Sequence, residues 1–241
     1  MKSDIRGAFL RSDSEIKNGV AFWSLDIRNQ AHAVWQWYNC CAARVPRGKQ
    51  PLRINLDETS VCLFQGGGKG TIAFKKRRDH PSEEPHERAP RAKRRCCLTH
   101  VAFICEKPEI QPLLPQVIVG NHATFLVRDF AALQAAAPLN VHLVRQKSAW
   151  NNKELMARII NMLGIALREH FAEWQPILLL DCSRVHLHVV VFNRCLANNI
   201  WPIIVPAKLT WLLQPCDTHA FQRFKVYLRN AYQAARAVAA A

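Results

Sequence analysis

The stretch Pro-Ile-Leu-Leu-Leu-Asp-Cys-Ser-Arg-Val-His, residues 176–186, decides the fold. Its four consecutive large apolar residues, 177–180, predict a short strand buried on both faces, as at the centre of an α/β sheet. The strand ends on Asp181, and in open α/β sheets ligands bind beyond the carboxyl ends of such strands. A carboxylate is costly to bury without a partner. Asp181 is therefore either a site residue or the cap of a helix over residues 185–198, and this stretch alone does not decide between the two.

A second strand is predicted over residues 52–60, which read Leu-Arg-Ile-Asn-Leu-Asp-Glu-Thr-Ser. Apolar residues at positions 52, 54 and 56 alternate with polar ones, which is the pattern of a strand with one buried face. Neighbouring side chains of a strand point to opposite faces, so Asp57 and Glu58 cannot both enter one site. If Asp57 is the site residue, Glu58 has a different, structural role.

The rest of the chain predicts further helices and strands around this pair. Apolar residues at helical spacing predict a helix within residues 16–44 that packs on the main body. The glycine-rich run at 65–70 lacks the spacing of a phosphate-binding loop and predicts a hairpin turn. Strands are predicted over residues 98–105, 116–120 and 199–205. Two helices are predicted with an apolar stripe, over 153–171 (Leu155, Ile159, Leu163, Leu167) and after position 217 (Phe221, Phe224, Tyr227, Leu228).

Three aspartates, Asp57, Asp181 and Asp217, stand at the ends of predicted elements in a strongly basic chain. Carboxylate oxygens are the ligands that hard cations such as Mg²⁺ prefer. Two such ions, clamping the attacking and leaving oxygens of a phosphodiester, need a carboxylate cluster of this kind. The pattern therefore predicts a site for Mg²⁺ or Mn²⁺, with two ions.

The charge of the chain indicates a polyanionic partner. Lys and Arg number 33 against 18 Asp and Glu, a formal charge of +15, which favours nucleic acid first and an anionic membrane surface second. No apolar run is long enough to span a bilayer, and residues 1–6 are not followed by the apolar core of a secretory signal. Nine cysteines show no zinc-type spacing, so reduced thiols in the cytosol or nucleus are expected.

Two basic clusters bracket an acidic, proline-rich segment within residues 75–95. The segment is predicted to be a mobile surface loop. The clusters are typical of a two-part nuclear import signal or of a patch that grips phosphates, and a merely solvated basic loop is the alternative. Their residues are Lys75, Lys76, Arg77, Arg78, Arg91, Lys93, Arg94 and Arg95.

Three motifs together resemble the motif series of the DDE-type transposases. They are Asn55-Leu56-Asp57-Glu58-Thr59, Leu178-Leu179-Leu180-Asp181 with His186 five positions on, and Leu213-Gln214-Pro215-Cys216-Asp217 followed by Phe224-Lys225. The branch that they resemble, over residues 52–232, is the pogo-like group of the Tc/mariner superfamily. The resemblance implies an RNase H-like α/β fold with a mixed five-stranded sheet flanked by helices. It also implies that Asp57, Asp181 and Asp217 are catalytic carboxylates that use divalent metal to nick and rejoin DNA.

The resemblance divides the chain into three parts. Residues 1–50 form a helical extension with a basic linker, residues 51–232 the catalytic domain, and residues 233–241 an Ala-rich tail. Family members carry an N-terminal DNA-binding region, and residues 1–50 show no helix-turn-helix pattern, so a separate DNA-targeting partner or a homodimer is expected. His186 is expected to support the Asp181 loop or to contact DNA, and Lys225 to contact DNA.

The leading hypothesis is a nuclear, metal-dependent DNA endonuclease or strand-transfer domain. The competing hypothesis is an inactive, host-adopted protein that binds nucleic acid through its basic surface. An RNase H-like RNA nuclease is a third alternative.

Overall fold

A computed structural model describes residues 25–62 and 97–240, which form a six-stranded sheet with helices on both faces. The order across the sheet is β4-β3-β2-β1-β5-β6. The strands are β1 (Gln50–Cys62), β2 (Cys97–Cys105), β3 (Gln116–Asn121), β4 (Val141–Gln146), β5 (Trp174–Asp181) and β6 (Trp201–Val205). The helices are α1 (Leu25–Ala43), α2 (Val127–Ala136), α3 (Lys153–Ala166), α4 (Val189–Ala197), the short α5 (Thr210–Leu213) and α6 (Phe221–Ala240).

The central position predicted for the strand before Asp181 is confirmed. β5 lies between β1 and β6 and runs parallel to both. Ile177, Leu178 and Leu180 are fully buried, and Leu179 packs against the apolar residues beneath α1 on the opposite face. Because both faces of β5 are covered, its apolar residues are consecutive and do not alternate. Asp181 is the last residue of the strand.

The sheet is RNase H-like, with one strand more than predicted. β1, β2 and β3 form an antiparallel meander, and β5 and β6 continue the sheet in parallel on the other side of β1. The prediction of five strands is wrong because β4 pairs in parallel with β3 at the edge. Its sequence, Val-His-Leu-Val-Arg-Gln, does not alternate between apolar and polar residues, and each residue is only half-buried. An edge strand of this kind carries little periodic signal.

One face of the sheet is covered by α3 and α4. The predicted stripe of α3, Leu155, Ile159, Leu163 and Leu167, is fully buried against residues of β1, β2, β3 and β5. α3 ends at Ala166 and not at 171, and a turn of 3₁₀ helix (Arg168–His170) follows it. α4 begins at Val189, four residues later than predicted, because residues 182–188 form the turn that follows Asp181.

The other face is covered by α1 and by the start of α6. Ala31 of α1 packs with Val205 and Leu209, which confirms that this helix lies on the main body. Phe221, the first residue of α6, packs with Ala102 of β2 and with Cys216. The apolar side predicted for α6 is only partly correct, since Tyr227 is 74% exposed. α6 continues through the Ala-rich residues to Ala240.

Several predictions fall on residues that the structure does not describe. These are the first part of the helix predicted within 16–44, the glycine-rich turn and the two basic clusters. In the described ranges no helix is long and apolar enough to cross a membrane. The described cysteines whose thiols are free are Cys40, Cys41, Cys105, Cys182, Cys195 and Cys216.

Candidate active site

Asp57 and Asp181 lie at the same level of two neighbouring parallel strands, where β5 ends and β1 continues for five more residues. Asn55 of β1 is in register with Leu179 of β5. Asp57 follows Asn55 by two residues, and Asp181 follows Leu179 by two residues. Residues two apart on a strand point to the same face. β1 and β5 therefore bring two of the three predicted carboxylates together at the carboxyl end of β5, and α/β sheets commonly carry their sites beyond the carboxyl ends of their strands.

Asp217 belongs to a turn that is attached to β1. It lies in a single turn of π-helix, Cys216–Ala220, between α5 and α6. The backbone N–H of Cys216 donates to Asn55 Oδ1 at 2.8 Å, and Asn55 Nδ2 donates to Gln214 Oε1 at 2.8 Å. The turn is thereby held against the strand that carries Asp57, and the Asp217 side chain is exposed. π-helical turns are frequent at functional sites.

The pKa of Asp57 is raised by the charges of the two other aspartates. Its side chain is 7% exposed, and burial together with the negative charge of Asp217 raises its pKa to about 7. The charges of Glu58 and Asp181 raise the pKa further, whereas the hydrogen bond from the Glu58 N–H to Asp57 Oδ1, at 2.8 Å, lowers it. A buried carboxylate among other carboxylates resists ionisation, and a bound cation relieves that repulsion.

Asp181 is already paired with a histidine. Its Oδ1 contacts Nδ1 of His186 and also accepts a hydrogen bond from the Ser183 N–H at 3.0 Å. Burial alone would raise the pKa of Asp181, but the hydrogen bonds from His186 and Ser183 outweigh burial, and the pKa is lowered. Asp181 is therefore a charged partner of His186, and it does not simply cap α4, which begins eight residues later.

His186 lies between two carboxylates. Its ring is fully buried, and Nε2 is 3.3 Å from Glu58 Oε1, close enough for an ion pair although the contact lacks the geometry of a hydrogen bond. Burial lowers the pKa of His186, but the contacts with Asp181 and Glu58 outweigh it and raise the pKa to about 10. The predicted support of the Asp181 loop agrees with this position. The ring has no exposed surface, and the alternative, a DNA contact, stays a prediction.

The contacts of the Glu58 side chain were not predicted from the sequence. Its Oε1 accepts a hydrogen bond from Asn151 Nδ2 at 2.8 Å, just before α3 begins. Glu58 thus joins His186 to the start of α3, in keeping with the structural role expected of it. Residues 58 and 151 are far apart in the chain and no local spacing links them, so only the folded structure shows the contact.

The donor set of the site fits a hard divalent cation. Asp57, Asp181 and Asp217 offer oxygen ligands, and the hydrogen bonds to Asp57 and Asp181 described above all involve Oδ1 of each carboxylate. Among residues 25–62 and 97–240, no three His, Cys, Asp or Glu side chains already have the geometry of a metal site. Binding a cation would therefore require the carboxylates to turn toward one another.

The predicted basic contacts are only partly within the described residues. Lys225 is exposed on α6, the helix that begins four residues after Asp217. α6 carries several Lys and Arg residues and no acidic residue. The two clusters at 75–78 and 91–95 lie outside the described ranges, so their contact with DNA stays a prediction.

The comparisons with known proteins agree with this architecture. The DDE superfamily endonuclease family matches residues 100–239, more than half of the chain, so the chain belongs to that family. The matched region contains Asp181 and Asp217 and begins after Asp57.

Two solved structures of the Mos1 transposase are similar to the chain. The Mos1 paired-end complex with the left transposon end is 14% identical, with 83% of this chain and 47% of that chain covered and a TM-score of 0.42. The Mos1 mariner paired-end complex with Mn is 11% identical, with 86% and 53% covered and a TM-score of 0.44. The chain thus spans about half the length of these proteins. No curated protein sequence matches it.

Proposed function

We propose that this chain is a metal-dependent DNA endonuclease or strand-transfer domain with Asp57, Asp181 and Asp217 as its catalytic carboxylates. The observation that carries the proposal is the attachment of all three aspartate-bearing segments to one another near the carboxyl end of β5, through the β1–β5 pairing and the bonds between Asn55 and residues 214–216. Membership of the DDE superfamily endonuclease family supports it. The three motifs further support a place in the pogo-like branch.

The three aspartates would hold one or two Mg²⁺ or Mn²⁺ ions. Bound there, the ions would supply an activated nucleophile and would stabilise the leaving oxygen of a phosphodiester. The chain's own residues orient the ligands: His186 and Ser183 hold Asp181 through Oδ1, and the Glu58 N–H holds Asp57. A bound cation would relieve the electrostatic repulsion around Asp57, and this relief would favour binding.

DNA is the proposed substrate. The formal charge of +15, to which the two basic clusters contribute eight positive residues, and the exposed Lys225 on α6 favour a polyanion. The same clusters are the basis for a nuclear location. Targeting would come from a homodimer or from a separate DNA-binding partner.

A second candidate function is metal-independent nucleic-acid binding by an inactive copy of the fold. One observation favours it: Asp181 already has a charged partner in His186, so one of the three carboxylates is neutralised without a cation. In this case the basic surface would bind nucleic acid and the aspartates would be structural.

Thermal unfolding with and without Mn²⁺, together with a plasmid-nicking assay, separates the two functions. An active site predicts that Mn²⁺ stabilises the protein and that nicking depends on the ion. Asp57→Asn should abolish both responses while salt-sensitive DNA binding persists. Asp129→Asn, which alters a half-exposed carboxylate of α2 paired with Arg128, serves as the matched control and should keep both. A native protein with neither a stabilising shift nor nicking would contradict the metal-dependent function and, where salt-sensitive DNA binding remains, would favour the binding-only function.

A further inference from the structure

Asn55 is a buried amide at the junction of the three aspartate-bearing segments. It lies on β1 two residues before Asp57, and its side chain is 3% exposed. On a strand, residues two apart share a face, so Asn55 and Asp57 point to the same side of the sheet. A buried amide is costly unless its polar atoms are bonded, and the bonds of Asn55 lead to both other segments.

The first bond leads to β5. Asn55 Nδ2 donates to the backbone carbonyl of Leu179 at 3.2 Å. Leu179 precedes Asp181 by two residues and is also the register partner of Asn55. The side chain thus adds a hydrogen bond to the backbone pairing of the two strands, at the level just below the two carboxylates.

The second set of bonds leads to the turn that carries Asp217. Asn55 Nδ2 donates to Gln214 Oε1 at 2.8 Å, and Asn55 Oδ1 accepts from the Cys216 N–H at 2.8 Å. The Gln214 side chain is fully buried. Both the N–H and the hydroxyl of Thr218 donate to the Gln214 carbonyl, each at 3.1 Å, which closes the turn around Asp217.

We propose that Asn55 is a positioning residue that holds the segments of Asp57, Asp181 and Asp217 together so that their carboxylates can share a cation. The role rests on the proposed function. The positioning role requires one side chain that donates and accepts hydrogen bonds at the same time. The amide of asparagine does so, whereas leucine forms no side-chain hydrogen bond and an ionised aspartate only accepts. Partners that orient metal ligands typically change metal affinity by about 10- to 100-fold when they are removed.

The test compares Asn55→Leu with Gln175→Leu. Gln175 is a second buried amide, located near the start of β5, and its Nε2 donates to the Asn199 carbonyl at 2.8 Å, away from the aspartates. Both substitutions remove a buried amide of the central strands, so both should lower the thermal unfolding temperature. Only Asn55→Leu should raise the Mn²⁺ concentration needed for half of the maximal stabilising shift, by about 10- to 100-fold.

A double-mutant cycle distinguishes two ways in which Asn55→Leu could change the Mn²⁺ requirement: by displacing Asp217, or by a general loss of order in the protein. If Asn55 acts by holding the Asp217 turn, Asn55→Leu should change the Mn²⁺ requirement less than about threefold in a protein that already carries Asp217→Glu, which displaces the carboxylate but keeps a Mn²⁺ ligand. If Asn55→Leu does not fold, Gln214→Met, which keeps the side-chain length and removes both polar atoms, takes its place. Gln214 is suited to this because its Nε2 is buried and makes no hydrogen bond.

The outcomes separate the two proposals. A native Mn²⁺ response with an unchanged Mn²⁺ requirement in Asn55→Leu, or in Gln214→Met, would overturn the positioning role and leave the proposed function standing. Equal shifts in Asn55→Leu and Gln175→Leu would also overturn it. Absence of any Mn²⁺ response in the native protein would overturn the proposed function and the positioning role together.

Discussion

At the scale of single residues, Asp57 makes the stability of the protein depend on pH. Its pKa of about 7 in the folded protein lies above the ordinary value of 3.8, so the folded state holds this proton more tightly than the unfolded chain does. The stabilising contribution is complete below about pH 4 and is lost as the pH rises to about 7. Between pH 5 and 6.5 the metal-free protein should lose up to about 1.4 kcal/mol of unfolding free energy per pH unit.

Urea unfolding at pH 5, 5.8 and 6.5 in the presence of a chelator measures this slope. Asp57→Asn should flatten it, because an amide does not titrate and still accepts the hydrogen bond from the Glu58 N–H. Asp181, whose pKa is lowered, is ionised in both states over this range. His186, whose pKa is raised to about 10, stays charged in the folded protein but starts to lose its proton in the unfolded chain near its ordinary pKa of 6.5, and this adds the same slope to both proteins. An equal slope in both proteins would show that Asp57 is ionised throughout.

His186 is expected to be essential for stability as well as for the site. His186→Phe leaves Asp181 and Glu58 without their shared cationic partner, and breaking a buried pair typically costs roughly 3 to 5 kcal/mol. The partly exposed carboxylates place the expected cost near the lower value. The exposed His122 provides the control, and His122→Phe should change the unfolding free energy by less than about 0.5 kcal/mol. A small effect of His186→Phe in urea unfolding would contradict the buried ion pair.

At the scale of elements, strands with a strong pattern were predictable and contacts between distant elements were not. The apolar run 177–180 predicts β5, and the alternation at 52, 54 and 56 predicts β1. In both strands the buried side chains follow a pattern that can be seen within a few neighbouring residues. β4 has no such pattern. It is a strand because its backbone pairs with β3 at the edge of the sheet, and this pairing cannot be read from the sequence of β4 alone. Likewise, Asp181 ends its strand as predicted, whereas Asp57 lies inside β1, five residues before its end, and the bond from Glu58 to Asn151 depends on the tertiary fold.

The packing of α3 against α4 depends on a glycine. A Cβ added to Gly164 would lie 2.1 Å from Asn198 Oδ1 and 2.8 Å from Asn198 Cβ, so Asn198 and its bond to the Arg194 carbonyl would have to move. Gly164→Ala should therefore destabilise the protein by roughly 1 to 3 kcal/mol, although alanine alone favours a helix by about 1 kcal/mol. Thermal unfolding measures the loss. Asn198→Gly should restore part of it in the double variant, and an increase in stability from Gly164→Ala would contradict the close approach.

At the scale of the whole molecule, the excess of positive charge should decide how tightly DNA binds. The affinity should fall linearly with salt on a double-logarithmic plot, with a slope of about −0.9 for each phosphate that is neutralised. This electrostatic binding does not need metal, so a chelator should leave it unchanged. The chain would then bind DNA in either proposed function, and only the chemistry would require the aspartates.

The contribution of the two basic clusters can be measured through that slope. Replacing all eight Lys and Arg residues at 75–78 and 91–95 by alanine should reduce the magnitude of the salt slope by up to about 7, if each neutralises one phosphate, whereas Lys225→Ala should reduce it by about 1. Fluorescence anisotropy of a labelled duplex at four or more salt concentrations gives both values. The eight substitutions should leave the Mn²⁺-induced shift intact, because Asp57, Asp181 and Asp217 are unchanged. An unaltered slope would mean that the clusters do not contact DNA and that the +15 charge acts through other residues.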